Sequence, residues 1–173
     1  SGPTALPVPP GERGMYVETA EEMAKALTTN VRWSTIVIMA AAVADFRADK
    51  PSHQKIKKQA GAWKALALTP TEDILHTLAR QRTRQILVGF AAETDSVLAH
   101  ARKKLTEKDL DLIVANDVTT QDGGFGSDRN AATLLTRAGA DTSLSLMPKR
   151  ELADHILDAL QPFIKRAALP TPH

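Results

Sequence analysis

Residues 35–40 read TIVIMA, a run of mainly β-branched and apolar side chains that does not alternate with polar residues. A run of this kind is typical of a short strand buried on both faces of a sheet. Residues 85–90 (QILVGF) and residues 110–115 (LDLIVA) have the same character. The sequence therefore predicts three short buried strands.

Helical segments alternate with these strands. An early helix is predicted over residues 20–29, because Thr19 followed by Glu22 resembles a capping box. Residues 95–109 predict a helix, and so do residues 71–81, whose inward-facing side chains are expected to be Ile74, Leu75 and Leu78. Alternation of strands and helices indicates an open parallel α/β sheet.

The C-terminal part of the chain predicts antiparallel strands. Residues 132–137 and 142–146 form a hairpin pattern across residues 138–141. Residues 149–165 predict a final helix that turns four apolar side chains inward: Leu152, Ile156, Leu157 and Leu160. The predicted fold class is α/β, a Rossmann-like open sheet that is mostly parallel, with a C-terminal antiparallel hairpin.

The rest of the chain predicts loops and one weak strand. The loops are the proline-rich start, a polar and basic stretch, and a segment rich in Asp and Gly: residues 1–14, 45–62 and 116–130. Residues 63–69 alternate weakly and predict a strand, with an edge position as one alternative. We expect one domain over residues 1–166 and a frayed tail over residues 167–173. Because such sheets usually open with a strand, we also expect the first βα unit to be missing.

The composition is that of an ordinary globular domain. The chain has 173 residues, of which 43% are hydrophobic and 24% charged, and its net charge is +2. It has no cysteine, which excludes disulfides, a cysteine nucleophile and a Cys-ligated zinc site. Its longest uncharged apolar run, residues 34–44, is too short to span a bilayer. The expected location is the cytoplasm.

The basic residues are concentrated in two short segments. Residues 45–64 contain six bases and two acids, and residues 101–108 contain four bases and one acid. Local concentrations of this kind indicate a compact anionic ligand rather than a long polyanion. The familiar phosphate-binding signatures are absent, since the sequence contains neither a P-loop nor G-x-G-x-x-G.

Candidate binding residues follow each of the three predicted strands. In open α/β sheets, ligands bind beyond the carboxyl ends of the strands. The segments that fall there are residues 41–47 with 55–58, residues 89–94, and residues 115–118. They supply cations for phosphates, acids and amides for ribose or base edges, and small residues where the backbone can approach a ligand.

The helix over residues 95–109 adds a sharper indication. Val97, Ala101 and Leu105 define its packing stripe, yet Lys108 falls within that stripe and Lys104 at its flank. Solvated lysines normally occupy the opposite face of a helix. Either their stems extend out of the packed surface, or their ammonium groups meet an anion.

Each candidate also has a purely structural interpretation. Residues 55–58 could be a solvated loop, and Asp45 could be a turn residue or a helix cap. The pair Gly89 and Phe90 could be a strand end with a packed aromatic ring. Asn116 and its neighbour could serve only as turn residues. The location of all four at one edge of the sheet favours the functional interpretation.

Five motifs together resemble the phosphopantothenate–cysteine ligase family, the synthetase half of the bifunctional CoaBC protein. They are AAVADFR at residues 41–47, KIKK at 55–58, GFAAET at 89–94, Lys104-Leu105 with Lys108, and ANDV at 115–118. The resemblance implies CTP-dependent joining of 4′-phosphopantothenate to cysteine through an acyl-cytidylate, with Mg²⁺. It also implies a homodimer.

The resemblance implies specific roles for named residues. Lys55 and Asp45 are expected to be catalytic, and Lys57, Lys58 and Asn116 are expected to belong to the substrate loop. The residues expected to bind CTP are Met39, Ala40, Ala41, Asp45, Lys55, Asp73, Ile74, Phe90, Lys104 and Lys108. Metal ligands are not assigned.

Two departures from the family pattern affect the expected activity. Glu72 stands where the family typically has Pro, and the Asn/Ser-rich segment that opens the family's synthetase domain has no counterpart here. The family's flavin-dependent decarboxylase half has none either. We therefore expect this chain to retain elements of the CTP site but to have weak or no ligase activity. Alternative hypotheses are a noncatalytic module that binds nucleotides or polyanions and, less favoured, an NAD(P)-dependent oxidoreductase.

Overall fold

A computed structural model describes residues 1–4, 6–52, 54, 65–93, 96–117, 126–139 and 141–168. Seven strands and four α-helices occur in these residues. The strands are β1 (Ile36–Met39), β2 (Phe46–Ala48), β3 (Leu68–Pro70), β4 (Ile86–Glu93), β5 (Leu112–Asp117), β6 (Arg129–Thr136) and β7 (Asp141–Pro148). The helices are α1 (Ala20–Asn30), α2 (Ile74–Gln81), α3 (Val97–Glu107) and α4 (Lys149–Ala168).

Five of the strands form one mixed sheet in the order β1-β4-β5-β6-β7. Strands β1, β4 and β5 are parallel, with Met39 opposite Gly89 and Ala92 opposite Asn116. Strands β6 and β7 add to β5 in antiparallel orientation. This arrangement confirms the predicted fold class, including the C-terminal hairpin.

Two apolar clusters cover the two faces of the sheet. On one face, α1, α2 and α3 pack Leu78, Ala101 and Leu105 against alternate residues of β4 and β5. On the other face, α4 packs three side chains against the remaining positions of the same strands: Leu152, Ile156 and Leu160. The sheet is therefore buried on both sides at its centre, as the unalternating runs in β4 and β5 predict.

The starts of α1 and α2 are capped by side chains, the first as the sequence predicts. The Thr19 side chain accepts a hydrogen bond from the Glu22 backbone N–H, and Glu22 accepts one from Thr19 N–H, which completes a capping box for α1. Asp73 caps α2 by accepting a hydrogen bond from His76 N–H at 3.1 Å. Helix α2 therefore begins at Ile74, three residues later than the segment predicted from residue 71.

Gly89 allows the α2 face of the sheet to pack closely. A Cβ atom placed on Gly89 would lie 2.7 Å from Leu110 Cδ1 and 3.2 Å from Leu75 Cδ1. Such contacts are closer than carbon atoms tolerate, so a side chain here would displace α2 or its neighbours. This close approach brings the start of α2 to the carboxyl end of β4.

The prediction of a continuous loop over residues 45–62 is wrong at its start. Phe46–Ala48 forms β2, which pairs with β3 in a separate antiparallel sheet. The weak strand expected at residues 63–69 is the shorter β3, which begins at Leu68. The predicted loop at 116–130 is also too long, because Asn116 pairs within the main sheet and β6 begins at Arg129.

Two predictions of burial are wrong. Strand β1 lies at the edge of the described sheet, so Ile38 is 43% exposed instead of buried on both faces. Leu157 is 48% exposed, because Leu152, Ile156 and Leu160 already form the stripe of α4 that faces the sheet. Residue 157 lies about 100° further round the helix from Ile156. Among the described residues, no helix is both long enough and apolar enough to cross a membrane.

Candidate functional site

A pocket lies where β1 and β4 end, between the start of α2 and the end of α3. We call it the α2–α3 pocket; its volume is about 270 Å³. It is lined by Met39, Ala41, Ala42, Val43, Ala44, Asp45, Thr71, Glu72, Asp73, Ile74, Leu75, Phe90, Lys104 and Lys108. Segments distant in the chain thus converge at the carboxyl edge of the sheet, where open α/β folds bind ligands.

This pocket brings together most of the residues predicted to bind a nucleotide. Those that line it are Met39, Ala41, Asp45, Asp73, Ile74, Phe90, Lys104 and Lys108. Ala40 lines a neighbouring pocket instead. Lys55, Lys57 and Lys58 lie outside the described residues, so their predicted roles stay predictions.

The two lysines of the pocket come from one turn of α3. Ala101 and Leu105 of this helix are fully or almost fully buried, as the predicted packing stripe requires. Lys104, next to the buried Leu105, is partly buried and lines the pocket. Lys108 caps the end of α3 through its backbone N–H, which donates to the Lys104 carbonyl at 3.0 Å. Both lysines therefore line the pocket instead of the fully exposed side of the helix, where Lys103 lies.

Asp73 contacts both of the helix ends that border the pocket. One of its oxygens caps α2, and the other lies 2.9 Å from the Lys108 Nζ atom. Partial burial acts to raise the pKa of Asp73, but the hydrogen bonds from Lys108 and from His76 N–H outweigh it and hold the pKa below its usual value. Asp73 is therefore a carboxylate at neutral pH, and it links the start of α2 to the end of α3.

The segment after β1 forms the opposite wall of the pocket. The backbone N–H of Thr71 donates to the Asp45 carbonyl at 2.9 Å, and its hydroxyl donates to the Ala44 carbonyl. These bonds fix Asp45 opposite the first turn of α2. Ala41, Ala42 and Ala44 carry only methyl side chains, so a ligand can approach the backbone there.

A second pocket lies on the other face of the sheet, at the same edge. We call it the α4 pocket; its volume is about 470 Å³. It shares Ala41, Ala42 and Phe90 with the α2–α3 pocket. Its other lining residues are Ala40, Ala92, Asn116, Gly126, Asn130, Lys149, Leu152, Ala153 and Ile156.

Besides Ala40, Ala41 and Phe90, the α4 pocket contains one more predicted site residue and two that the sequence did not identify. Asn116, expected in the substrate loop, lines this pocket and not the α2–α3 pocket. Asn130 and Lys149 were not predicted. Asn130 is only 6% exposed. The sequence feature that could have identified it is a polar residue at a position of β6 that alternation assigns to the core. That signal becomes interpretable only when the boundaries of β6 are known.

The sequence matches the family model described as the DNA/pantothenate metabolism flavoprotein C-terminal domain over residues 1–163. The chain belongs to this family. It is 42% identical over 167 residues to the coenzyme A biosynthesis bifunctional protein CoaBC of Bacillus subtilis, covering 96% of this chain. It is also 42% identical over 163 residues to CoaBC of Escherichia coli, covering 92% of this chain. It spans only 41% and 40% of the lengths of these two relatives.

A solved structure gives the same family assignment. The C-terminal domain of a CoaBC protein matches with a TM-score of 0.78 and 34% identity, over 95% of this chain and 72% of that one. A Cab2 mutant in complex with phosphopantothenate-cysteine matches with a TM-score of 0.67 and 16% identity, over 90% of this chain and 55% of that one. At that identity the Cab2 match shows a shared fold alone.

Proposed function

We propose that this chain is the part of a phosphopantothenate–cysteine ligase that binds CTP. The observation that carries the proposal is the α2–α3 pocket. It places Lys104, Lys108 and the capped start of α2 around one space at the carboxyl edge of the sheet. The family of the chain and the CoaBC relatives support the same reaction class.

The proposed reaction has two steps. First, the carboxylate of 4′-phosphopantothenate attacks the α-phosphorus of CTP, and the bond to the β-phosphate breaks with release of pyrophosphate. Next, the amine nitrogen of cysteine attacks the acyl carbon, the bond from that carbon to the CMP oxygen breaks, and the amine loses a proton. The products are 4′-phosphopantothenoylcysteine and CMP. No nucleophile from the protein is needed, which is consistent with a chain that lacks cysteine.

The residues of the α2–α3 pocket would act mainly through charge and position. Negative charge develops on the phosphate oxygens and on the leaving pyrophosphate, and Lys104 and Lys108 would offset it. The backbone of Met39–Ala41 and the ring of Phe90 would position the nucleotide, with Asp45 as a hydrogen-bond acceptor. Lys55 is proposed to bind phosphate, with Lys57 and Lys58 adding positive charge.

Mg²⁺ fits this pocket as a companion of the nucleotide. Among the described residues, no group of three or more His, Asp or Glu side chains could hold a metal ion by itself. Mg²⁺ usually binds through one or two carboxylates together with substrate phosphates. Asp45, Glu72 and Asp73 line the pocket and offer carboxylates of that kind. When bound, the ion would neutralise charge on the phosphates.

We further propose a cytoplasmic homodimer whose full-length protein includes a flavin-dependent decarboxylase domain. The β2–β3 sheet supports dimer formation, because Phe46 and Leu68 are both more than half exposed and lie on one of its faces. Isolated two-stranded sheets are marginal in water, so a covering partner would stabilise this one. Light scattering coupled to size-exclusion chromatography should give twice the mass of the chain, and a monomer at micromolar concentration would contradict the proposal.

Thermal shift with four ligands tests the nucleotide site. We expect CTP with Mg²⁺ to raise the melting temperature more than ATP, NADP or RNA does, because binding to the folded state stabilises it. Lys108→Ala should abolish most of the CTP shift. Lys103→Ala is the matched control, since Lys103 is one residue from Lys104 but pairs with Glu107 on the exposed side of α3. An equal response to every polyanion would favour the alternative hypothesis of a noncatalytic polyanion-binding module.

A synthesis assay tests the expected activity. We expect weak or no formation of 4′-phosphopantothenoylcysteine by this chain alone. Full turnover by the 173-residue chain would contradict that expectation, although not the assignment of the nucleotide pocket.

A further inference from the structure

Two amide oxygens in the α4 pocket have no hydrogen-bond donor. They are the Oδ1 atoms of Asn116 and Asn130, both inaccessible to solvent and unpartnered among the residues that the structure describes. Asn130 as a whole is 6% exposed. Both residues line the same cavity. Two residues that line this cavity therefore each carry a buried acceptor that no described residue satisfies.

The sheet brings these two residues together. Asn116 on β5 lies opposite Ala132 on β6, and Asn130 is two residues before Ala132. Residues in such a diagonal relation on neighbouring strands lie about 7–8 Å apart, within reach of one ligand. Val114 and Ala132, the neighbours of this pair along the strands, pack on the α4 side of the sheet. Both asparagines thus lie above the same apolar cluster.

An unpartnered buried acceptor is costly to the folded chain. A buried polar atom that loses its hydrogen bonds to water and gains none in return destabilises the fold. An apolar residue of similar size would fit the alternation of β6 better than Asn130 does. The two oxygens are therefore best explained by a ligand whose N–H or O–H groups complete their hydrogen bonds.

The rest of the α4 pocket defines the ligand further. Leu152, Ala153 and Ile156 give it an apolar wall, and Lys149, the first residue of α4, contributes a cation. Ala41, Ala42 and Phe90 separate it from the α2–α3 pocket and line both. A ligand in this position would lie beside a nucleotide in the neighbouring pocket.

We propose that Asn116 and Asn130 form a subsite that accepts hydrogen bonds from N–H or O–H groups of a substrate with an apolar body. Lys149 would face the anionic group of that substrate. This inference rests on the proposed function and adds specificity residues to it. The required donors occur in the hydroxyl and amide arm of 4′-phosphopantothenate and in the amine of cysteine. A site built around buried acceptors rejects analogues that lack the matching donor far more strongly than an apolar pocket does.

The test uses Asn130→Leu and Asn116→Leu, each of which removes the acceptor and keeps a similar size. Thr133→Val is the control, since Thr133 lies on β6 outside this pocket and contacts Ser143 on β7. Calorimetry would measure binding of CTP, of 4′-phosphopantothenate, and of cysteine in the presence of CTP. Thermal melting without ligand would report stability.

We expect the leucine variants to melt at the same or a higher temperature and to bind CTP within twofold of the unmodified chain. Binding of at least one donor ligand should weaken at least tenfold, and the ligand affected identifies the source of the donor. The proposal is overturned if the leucine variants bind 4′-phosphopantothenate and cysteine as the unmodified chain does. It is also overturned if the melting temperature of these variants falls by several degrees, or if the unmodified chain binds neither 4′-phosphopantothenate nor cysteine. Failure of CTP binding in every variant would instead contradict the proposed function, and the melting result would still test the role of the two acceptors.

Discussion

The α2–α3 pocket and the α4 pocket lie at the same edge of one sheet, yet they differ in how their polar groups are satisfied. In the α2–α3 pocket, Asp73 has both Lys108 and the backbone of α2 as partners. In the α4 pocket, two buried amide oxygens have no partner among the described residues. A charged ligand must compete with existing partners in the first pocket, whereas an N–H or O–H donor would complete missing hydrogen bonds in the second.

The difference follows from the kind of group involved. Exposed or half-exposed charges keep much of their hydration, so a pair such as Asp73 and Lys108 can form and exchange at small cost. A buried amide has no water to return to, and its partner must arrive with a ligand. The two pockets are thus suited to different substrates, and each can be altered without the other.

The largest expected effect is on nucleotide binding. The double variant Lys104→Ala, Lys108→Ala should weaken CTP binding by a factor of about 100 or more, because hydrogen bonds to charged groups contribute about 1.5–3 kcal/mol each. Calorimetry would measure the dissociation constant, with Lys103→Ala as the control. A loss of CTP affinity of less than threefold would contradict the view that the α2–α3 pocket, and not the α4 pocket, binds the nucleotide.

Gly89→Ala should destabilise the fold by about 1–3 kcal/mol, since the added methyl group meets Leu110 and Leu75. The measurement is the free energy of unfolding in urea. Gly2→Ala is a suitable control, because a Cβ there meets only the Met23 side chain, at 3.8 Å. If both variants unfolded at the same urea concentration, the close approach of α2 to β4 would not be a constraint on the site.

Asp73→Asn tests how much the ion pair inside the α2–α3 pocket contributes to the stability of the fold. Asparagine is also a good helix cap, so the change removes mainly the ion pair with Lys108. Both side chains are about a third or more exposed, and solvent screening limits the expected loss to about 0.5 kcal/mol at pH 7. Urea unfolding of the variant and the unmodified chain would measure it.

The same pair gives a pH dependence with a definite sign. The pKa of Asp73 is lowered in the folded state, so its contribution is present above the pKa of the unfolded chain and is lost as the pH falls through the folded value. The difference in stability between the unmodified chain and Asp73→Asn should therefore begin to shrink as the pH falls through about 4, the pKa of an unfolded Asp, and vanish only below the lowered pKa of the folded state. A difference that persists unchanged at pH 3 would show that the charge of Asp73 is not its source.

Local patterns predicted the framework of the fold. The capping box at Thr19, the apolar stripe of Ile74, Leu75 and Leu78, and the unalternating runs of β4 and β5 each depend on neighbouring residues, and the structure confirms them. Strand β2 and its pairing with β3 were missed because three-residue strands carry little pattern and depend on pairing between distant segments. Leu157 was misplaced because helical spacing alone does not set the width of the buried stripe.

The sequence likewise predicted one part of the candidate site and not the other. The motifs after β1 and β4 and the position of Lys108 on α3 predicted a shared pocket, and the structure brings these residues to one place. Asn130 and Lys149 could not be predicted, because they reach the α4 pocket only through the pairing of β5 with β6 and the packing of α4. No local feature of the sequence places either of them beside Asn116.

The most direct test of two pockets with different substrates is a pair of titrations on two variants. Calorimetry would measure CTP and then the donor ligand, 4′-phosphopantothenate or cysteine, on the Lys104→Ala, Lys108→Ala chain and on the Asn130→Leu chain. The predicted result is that the lysine variant loses CTP binding and the asparagine variant loses donor-ligand binding, each with the other ligand much less affected. If both variants lost the same ligand and kept the other, the two pockets would be one site and the account would be wrong.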